Sequence, residues 1–418
     1  MRERVLITGI GCISSFGVGS RPYAEAVLSG SSGITEVTAF DTSSCRSRRA
    51  AMIQGFEPAA FIAPLKLRRV DEVGRLALAC ARLMFDDAGW APGPDGSDDI
   101  GVALGTVTAG LESTVSYLRA LAKEGPAGAP ALLFSNTVSN APASLCAIEF
   151  GLRGPNVTFN QREASSLSAL AFSVGAIRDG RVAAMTTGGA DRIEEMYFKV
   201  HDRFHALSPR RAGGEEAARP FDRRRNGFVL GEGGFVLLLE AAGTAGRRGA
   251  RAYGEILGLG ATASRVTALN QWPSDSTGLI RAMNVAIADA GLTPDRIDAV
   301  FATANGSPDL DRLEAAAITN VFGARRIAVT SLKGAIGESG SSGAAAVIAG
   351  LLTLSIERLP PTPGWAEPDP ACDVNVSRHA RPTSGNIFIV NSVASGGTNH
   401  AAVIRVNRQS DAQASYSF

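Results

Sequence analysis

The chain has 418 residues, of which 45% are apolar and 19% are charged, so it is long enough for two to three domains around a large buried core. Its 41 basic and 40 acidic side chains leave a formal net charge of +1, which gives no general electrostatic reason to bind nucleic acid or an anionic membrane. The five cysteines are scattered without a C-x-x-C pair, which argues against a disulfide scaffold and a cysteine zinc site.

The sequence predicts neither membrane insertion nor export. Its longest apolar stretch, Gly343–Ile356, is shorter than the roughly 20 residues that a transmembrane helix needs. The N-terminus enters a strand-like run at once, without the apolar core and cleavage site of a signal peptide. We therefore expect a cytoplasmic protein.

Short β-rich apolar runs alternate along the first half with longer segments of helical spacing, which predicts an α/β fold. The predicted strands are Val5–Gly11, Ile100–Gly105, Val157–Asn160 and a pair around a glycine turn within Phe228–Leu239. The predicted helices are Val70–Gly89, Ser144–Phe150 and Ala164–Asp179.

A softer stretch from Ala241 to Arg251 is rich in Gly, Ala and Arg and has no core-forming pattern, which predicts a domain boundary. It would separate an N-terminal half, residues 1–246, from a C-terminal half, residues 247–418. The alternation then resumes with strands Ala252–Leu259, Ala299–Ala302, Ile387–Val390 and Ala401–Val406, and with helices Thr277–Ala290, Asp311–Phe322 and Gly343–Ile356. The shared strand-helix-strand order hints at a duplication.

Two glycine-rich segments resemble nucleotide-binding loops only superficially. Gly9-Ile-Gly11 follows a strand, but Ser14 stands where the third glycine of a dinucleotide motif belongs. Gly396-Gly397-Thr398-Asn399 lacks the lysine of a phosphate-binding loop. We interpret the second segment as a tight approach of the backbone to a site.

Four further segments carry a stronger signal, and they occur in this order: Ile148-Glu-Phe-Gly-Leu-Arg-Gly-Pro-Asn-Val-Thr158, Arg219-Pro-Phe-Asp-Arg-Arg-Arg-Asn-Gly-Phe-Val-Leu-Gly-Glu-Gly-Gly234, Ser331-Leu-Lys-Gly-Ala-Ile-Gly337 and Asn391-Ser-Val-Ala-Ser-Gly-Gly-Thr-Asn-His400. Each resembles a signature of the beta-ketoacyl-ACP synthase family, the condensing enzymes of fatty acid and polyketide synthesis. The resemblance covers the chain from about Val5 to Val406. It implies a thiolase-like α/β fold with two similar halves in five α-β-α-β-α layers, and a dimer. We expect no cofactor and no metal ion.

The resemblance also implies a chemistry, carried by a nucleophilic cysteine, two histidines and a lysine. A helix N-terminus lowers the pKa of a thiol, so that the thiolate can accept an acyl group. Two neutral imidazoles then polarise a malonyl carbonyl as carbon dioxide leaves and an enolate forms.

This chain departs from the family at all three of those positions. When the motifs are laid on the sequence without gaps, Glu163 occupies the position of the cysteine, Thr303 that of the first histidine and Glu338 that of the second. Lys333 is retained. We therefore expect a degenerate former active site with no catalytic residue, and no decarboxylative condensation by this chain alone.

The gate loop and the histidines follow the same pattern. Val393, Ala394 and Ser395 replace the bulky gate of the family's F-G-F-G-G loop. The only histidines, His201, His205, His379 and His400, lie at neither catalytic position.

This combination resembles the chain length factor, or beta subunit, of type II polyketide ketosynthases, which has lost its nucleophile, usually to glutamine. The resemblance implies a heterodimer with an intact ketosynthase subunit, an acyl carrier protein bearing the growing chain as a second partner, and a role in shaping the acyl tunnel during polyketide or polyene biosynthesis. One alternative is an enzyme of altered chemistry, a malonyl-ACP decarboxylase or acyl transferase that uses Glu163. Another is a purely structural or carrier-docking module.

The former active-site residues themselves leave alternatives open. Glu163 and Glu338 are either a paired-carboxylate acid/base site or, as we favour, partners of arginines, with Arg162 the nearest for Glu163. Lys333 either holds the hydrogen-bond network of the site or neutralises one of the two glutamates.

Two further sets are weighed in the same way. Ser165 and Ser166 are expected to serve helix packing, because no histidine is positioned to activate them. Thr108, Leu132, Leu133 and Phe134 match the region that lines the family's acyl tunnel near the dimer interface, with plain core packing as the alternative.

Overall fold

The computed structural model describes residues 2–90, 97–210, 215–266, 268 and 271–408. Its strands are β1 Val5–Ser14, β2 Gly17–Val18, β3 Thr35–Glu36, β4 Arg49–Ala50, β5 Ile100–Gly105, β6 Asn156–Phe159, β7 Ala184–Asp191, β8 Gly233–Ala241, β9 Gly254–Ala263, β10 Ala299–Phe301, β11 Ala328–Thr330, β12 Arg358–Leu359, β13 Arg381–Pro382, β14 Ile387–Val393 and β15 Thr398–Val406. Its helices are α1 Ser20–Ser29, α2 Pro64–Leu67, α3 Glu72–Asp87, α4 Leu111–Glu124, α5 Ala131–Phe134, α6 Ala141–Phe150, α7 Ser165–Arg178, α8 Glu195–Arg203, α9 Ala242–Arg247, α10 Thr277–Asp289, α11 Pro308–Phe322, α12 Lys333–Ile336 and α13 Ser342–Leu354. Single 3₁₀ turns cover Pro58–Ala60, Pro126–Gly128, Arg162–Ala164 and Pro294–Arg296.

The main sheet contains two groups of five strands that share one topology. The first group runs β6-β5-β7-β8-β1, and the second runs β11-β10-β14-β15-β9. In both groups the first three strands are parallel and the last two pairings are antiparallel. The groups join where β1 and β9 pair antiparallel, from Val5 opposite Ile256 to Ile7 opposite Gly254. The repeated strand order is the duplication at which the sequence hinted.

Helices cover both faces of each group of strands. On one outer face, α3 packs on β1 and β8 with α6 against it, and on the other outer face α10 packs on β9 and β15 beside α11. Between the two groups lie α7 and α13, which contact strands of both. Every residue of α13 is buried, as its run of small and aliphatic side chains requires. These are the five α-β-α-β-α layers of a thiolase-like fold.

Most predicted elements are confirmed with shifted ends. The helix predicted over Val70–Gly89 is α3, and the Asp71 carboxylate caps it by accepting a hydrogen bond from the amide of Gly74 at 2.8 Å. Strand β14 continues past its predicted end at Val390 to Val393, which carries the former gate loop into the site.

Of the two strands predicted within Phe228–Leu239, the second is confirmed as β8 and the first is wrong. In the part of the chain that the structure describes, residues 228–232 form isolated bridges to Leu207, Ala51 and Glu338, and a continuous strand begins only at Gly233. The backbone of this segment is shared among three neighbours, so it cannot pair along one of them. Period-two patterns do not reveal such divided pairing.

The glycines of the two dismissed nucleotide motifs serve close packing. A side chain at Gly11 would clash with the carbonyl oxygen of Cys80, because α3 lies directly on β1. Gly396 and Gly397 have φ values of 116° and 93° in the turn between β14 and β15, where Gly397 abuts the backbone of Ser264. The tight backbone approach predicted for this segment is confirmed at Gly397, whereas its approach to a site stays a prediction.

The predicted boundary between residues 246 and 247 falls in α9 and stays a prediction.

Within the described residues, no helix is both long enough and apolar enough to cross a membrane.

Candidate functional site

Glu163 lies in the 3₁₀ turn that leads into α7, at the level where the sheet ends. Its half-buried carboxylate accepts hydrogen bonds from Ser395, from the amide at 3.0 Å and from the hydroxyl at 3.1 and 3.2 Å. Ser392 also donates its hydroxyl hydrogen to the carbonyl oxygen of Glu163 at 3.1 Å. Glu163 is thus tied to the segment that follows β14, where we expect the former gate loop.

The carboxyl group of Glu163 titrates near neutrality. Burial, followed by the nearby charge of Glu338, raises its pKa to about 7, against the opposing effects of the Ser395 amide and of Lys333. A carboxyl group with such a pKa can hold or release a proton at physiological pH.

Lys333 and Glu338 form a buried ion pair beside it. The Nζ of Lys333 donates to Glu338 Oε2 at 2.6 Å and to Thr303 Oγ1 at 3.3 Å, and all three side chains are buried. Asn305 Nδ2 donates to the same carboxylate oxygen at 2.7 Å. The structure therefore brings the predicted residues Thr303, Lys333 and Glu338 together. Glu163 is close enough for the charges of Glu338 and Lys333 to shift its pKa.

The favoured pairing of the two glutamates with arginines is wrong. Across the described residues, no arginine forms an ion pair with Glu163 or Glu338; Lys333 takes Glu338, and the Nη1 of Arg162 donates to Ser395 Oγ at 3.0 Å. Lys333 neutralises a glutamate, one of its two predicted roles. Arg162 has a φ of +51°, which a non-glycine residue rarely adopts.

A second carboxylate orders the backbone around Thr303. Glu314 of α11 accepts hydrogen bonds from the amides of Thr303 and Ala304 at 3.0 and 2.6 Å, and from Asn391 Nδ2 at 2.9 Å. Burial raises the pKa of Glu314. These hydrogen bonds to Glu314 hold Thr303 next to Asn391 of β14.

The two serines after Glu163 are structural, as expected. Ser165 Oγ donates to the carbonyl oxygen of Arg162 at 2.6 Å, and Ser166 Oγ accepts from the amide of Ala344 at 3.1 Å. Both are fully buried in α7, so neither is presented to a substrate.

A cavity of about 520 Å³ opens in front of Glu163. Its walls include Arg162, Glu163 and Ser395 on one side, and Tyr197, His201 and His205 on or just after α8. Residues Val107, Asn160, Phe204, Asn226, Phe228, Trp272 and Asp309 are among those that complete it.

The sequence argument missed the histidines in this wall. His201 Nδ1 lies 2.8 Å from the carbonyl oxygen of Tyr197, so it carries the hydrogen, and burial together with the charge of Arg162 lowers the pKa of the ring. The resulting neutral imidazole has an unprotonated Nε2. The signal available was the spacing of Tyr197 and His201, four residues apart, which puts both on one side of α8.

The tunnel candidates differ in their exposure. Thr108 is buried, and its amide and hydroxyl donate to Asp191 Oδ1 at 3.0 and 3.1 Å. Leu132 and Phe134 of α5 are 64% and 63% exposed, and Leu133 is half-buried. Core packing is therefore the wrong alternative for Leu132 and Phe134, which form an apolar surface instead.

Comparisons with known proteins agree with the fold. Residues 2–243 match the family model of the beta-ketoacyl synthase N-terminal domain, and residues 253–365 match that of the C-terminal domain. The chain is 30% identical to 3-oxoacyl-(acyl-carrier-protein) synthase 2 of Coxiella burnetii over 96% of this chain and 98% of that protein. It is 33% identical to the tetracenomycin polyketide synthase ketoacyl synthase alpha subunit of Streptomyces glaucescens, over 96% and 97% of the two chains. Among solved structures, the ishigamide ketosynthase/chain length factor is similar with a TM-score of 0.90 and 29% identity, covering 97% of this chain and all of that chain.

Proposed function

This chain belongs to the beta-ketoacyl synthase family, and within that family we propose that it is a chain length factor. In this role it pairs with an intact ketosynthase, performs no condensation itself and shapes the acyl tunnel of a type II polyketide or polyene synthase. The observation that carries the proposal is the occupancy of the three former catalytic positions. Glu163 is bound by Ser395, and a Lys333–Glu338 ion pair beside Thr303 fills the place of the two imidazoles.

The cysteines of the chain offer no substitute nucleophile. Cys12, Cys80, Cys146 and Cys372 are buried, and Cys45 is half-buried. Burial raises the pKa of each, to about 12 for Cys146 and Cys372. Since the thiolate is the reactive form, none of these thiols is activated for acyl transfer at neutral pH.

One side of the molecule supports the pairing with a ketosynthase. In the described residues β6, at one end of the sheet, pairs with β5 alone, so its other edge is open. Near in sequence, α4, α5 and α6 expose the apolar side chains of Leu118, Leu132, Phe134 and Ile148. An open strand edge flanked by exposed apolar residues is a surface that a partner covers.

The second candidate is an enzyme of altered chemistry, such as a malonyl-ACP decarboxylase or an acyl transferase. A specific observation favours it, namely that Glu163 has a pKa of about 7 and faces a cavity shared with a neutral His201. Acid/base work requires a group that changes protonation near the working pH. Substitution of Glu163 by glutamine separates the two candidates.

The test of the first candidate is co-production. Expressed with its ketosynthase, the chain should elute from a size-exclusion column as a one-to-one complex, whereas alone it should be poorly soluble or self-associated, because interfaces of this kind are large and apolar. A monodisperse monomer that ignores the ketosynthase would rule the proposal out. An acyl carrier protein charged with a growing chain is the expected third component.

A further inference from the structure

Arg162 stands out in the cavity because its charge is not neutralised by the protein. Within the described part of the chain it forms no ion pair, and its guanidinium donates one hydrogen bond, from Nη1 to Ser395 Oγ. Its Nε and Nη2 donors are therefore available. The residue is half-buried, and it lines the cavity directly next to Glu163.

The backbone holds Arg162 in an unfavourable conformation. Its φ of +51° lies in the left-handed region, which is costly for a side chain of this kind. The carbonyl group is fixed by Ser165 Oγ at 2.6 Å, and the guanidinium by Ser395. Strain of this sort persists only where surrounding contacts impose it, and it concentrates at sites that bind ligands.

The rest of the cavity does not supply a competing anion. Asp309 is its other acidic residue besides Glu163, and its carboxylate pairs with Arg312 at 2.9 Å. The remaining walls are aromatic or neutral, with Phe228 and Trp272 on the apolar side and Asn226 and neutral His201 on the polar side. A guanidinium in such a setting binds a planar anion through two parallel hydrogen bonds.

We propose that Arg162 binds the free carboxylate of a carboxylated acyl thioester, such as a malonyl group, that enters this cavity. The inference rests on the proposed function, in which carrier-bound acyl thioesters reach this fold. Arg162 precedes the residue at the former acyl-accepting position, so the group that reaches it is the acyl end of the thioester.

Glu163 is compatible with a bound carboxylate. Burial and Glu338 give its carboxyl group a pKa of about 7, so it can be neutral when the ligand arrives. Lys333 lies behind it and is engaged by Glu338. The anion would therefore meet one unopposed cation, Arg162.

The test is calorimetric titration of the complex between the full chain and its ketosynthase. The two probes are the amide analogues of malonyl- and acetyl-N-acetylcysteamine, in which nitrogen replaces the thioester sulfur and prevents acyl transfer. The variants are Arg162→Met, Arg162→Lys and, as a control, Arg281→Met at an exposed position of α10.

We expect the parent complex to bind the malonyl probe at least tenfold more tightly than the acetyl probe. Arg162→Met should reduce the affinity for the malonyl probe by about tenfold or more, since a hydrogen bond to a charged group is lost, and should leave the acetyl probe unchanged. Arg162→Lys should retain part of the affinity, and Arg281→Met all of it.

Equal affinity of the parent for the two probes, or an undiminished affinity of a folded Arg162→Met complex for the malonyl probe, would overturn the inference. If Arg162→Met does not assemble, the parent and Arg162→Lys still decide, through the ratio of the two affinities. A complex that forms but does not discriminate the probes refutes this site and leaves the proposed function standing. If the chain never pairs with a ketosynthase but still binds the malonyl probe more tightly than the acetyl probe, the site stands and the proposed function is refuted.

Discussion

Replacement of Glu163 by glutamine tests both the electrostatics of the site and its chemistry. Folding raises the pKa of this carboxyl group from an ordinary 4.5 to about 7, so the folded state binds the proton more tightly than the unfolded state. Its contribution to stability is therefore fully present below about pH 4.5 and is lost as the pH rises through 7. Glutamine has the shape of the protonated acid and does not titrate.

The magnitude follows from the shift. About 2.5 pKa units at about 1.4 kcal/mol each correspond to roughly 3 kcal/mol, an upper value because the side chain is only half-buried. Loss of one of the two hydrogen bonds from Ser395 offsets about 1 kcal/mol. Above pH 7.5 the Glu163→Gln variant should therefore be more stable than the parent by about 1–2 kcal/mol, and near pH 4.5 it should be slightly less stable.

Urea denaturation of the complex at several pH values is the suitable assay. For a chain of 418 residues, 1 kcal/mol moves the melting temperature by only about 1 °C, so a thermal scan is insensitive. The control is Glu25→Gln, which removes an exposed carboxylate paired with Arg21 on α1 and should leave the pH dependence unchanged. A stability difference between parent and Glu163→Gln that stays constant from pH 5 to pH 8 would refute the reasoning.

The same variant decides between the two candidate functions. If Glu163 is a remnant, product formation by the assembled complex should stay within a few-fold of the parent. If Glu163 transfers a proton, the rate should fall by roughly 10²–10⁴-fold. Co-purification with the ketosynthase must be shown first, so that a loss of assembly is not mistaken for a loss of chemistry. A hundredfold loss in an intact complex would favour the altered-chemistry candidate.

Three further predictions concern the thiols, the interface and the ion pair. An epoxide that alkylates ketosynthase cysteines should label only the partner, because every thiol of this chain is buried or half-buried with a raised pKa; an adduct on this chain in intact-mass spectra would contradict the assignment. Phe134→Lys should abolish co-purification with the ketosynthase without changing the folding of the chain, since the side chain is 63% exposed. The control Val285→Lys, at a position that is 48% exposed on the opposite outer helix α10, should leave co-purification intact. If both variants retain the ketosynthase equally, α5 does not belong to the interface. Glu338→Gln should destabilise the chain by about 3–5 kcal/mol because it leaves Lys333 buried without a counter-ion. Lys333→Met in the same chain should restore part of the lost stability. Additive effects in that double-mutant cycle would show that the two side chains are not coupled.

The fold was predictable from the sequence because the relevant signals are local or shared by a family. The alternation of short strands and longer helices follows from side-chain periodicity, as at α3, whose cap residue Asp71 and apolar spacing are both visible in the sequence. The alignment of motifs placed Thr303, Lys333 and Glu338 together, and the hydrogen bonds from Lys333 confirm that placement.

The contacts of the site were harder to predict because they depend on backbone geometry that no periodicity encodes. Arg162 has a left-handed φ and donates its hydrogen bond to Ser395, although adjacency in sequence favoured an ion pair with Glu163. The extension of β14 to Val393 brings the amide of Ser395 to Glu163, and a sequence pattern does not fix such an end to within three residues.

The charges around Lys333 support the proposal that this chain performs no condensation. A buried Lys333 needs a counter-ion, and Glu338 supplies one at 2.6 Å where the family has an uncharged imidazole. That pairing leaves Glu163 without a cation of its own, so burial dominates and its pKa rises to about 7. Condensation requires a thiolate that accepts the acyl group and two neutral donors that stabilise an enolate. Here the first position holds a weak carboxyl nucleophile, and the other two hold a hydroxyl group and an anion, which repels an enolate. Under the proposed function, this arrangement stabilises the folded subunit and leaves condensation to the ketosynthase that pairs with it.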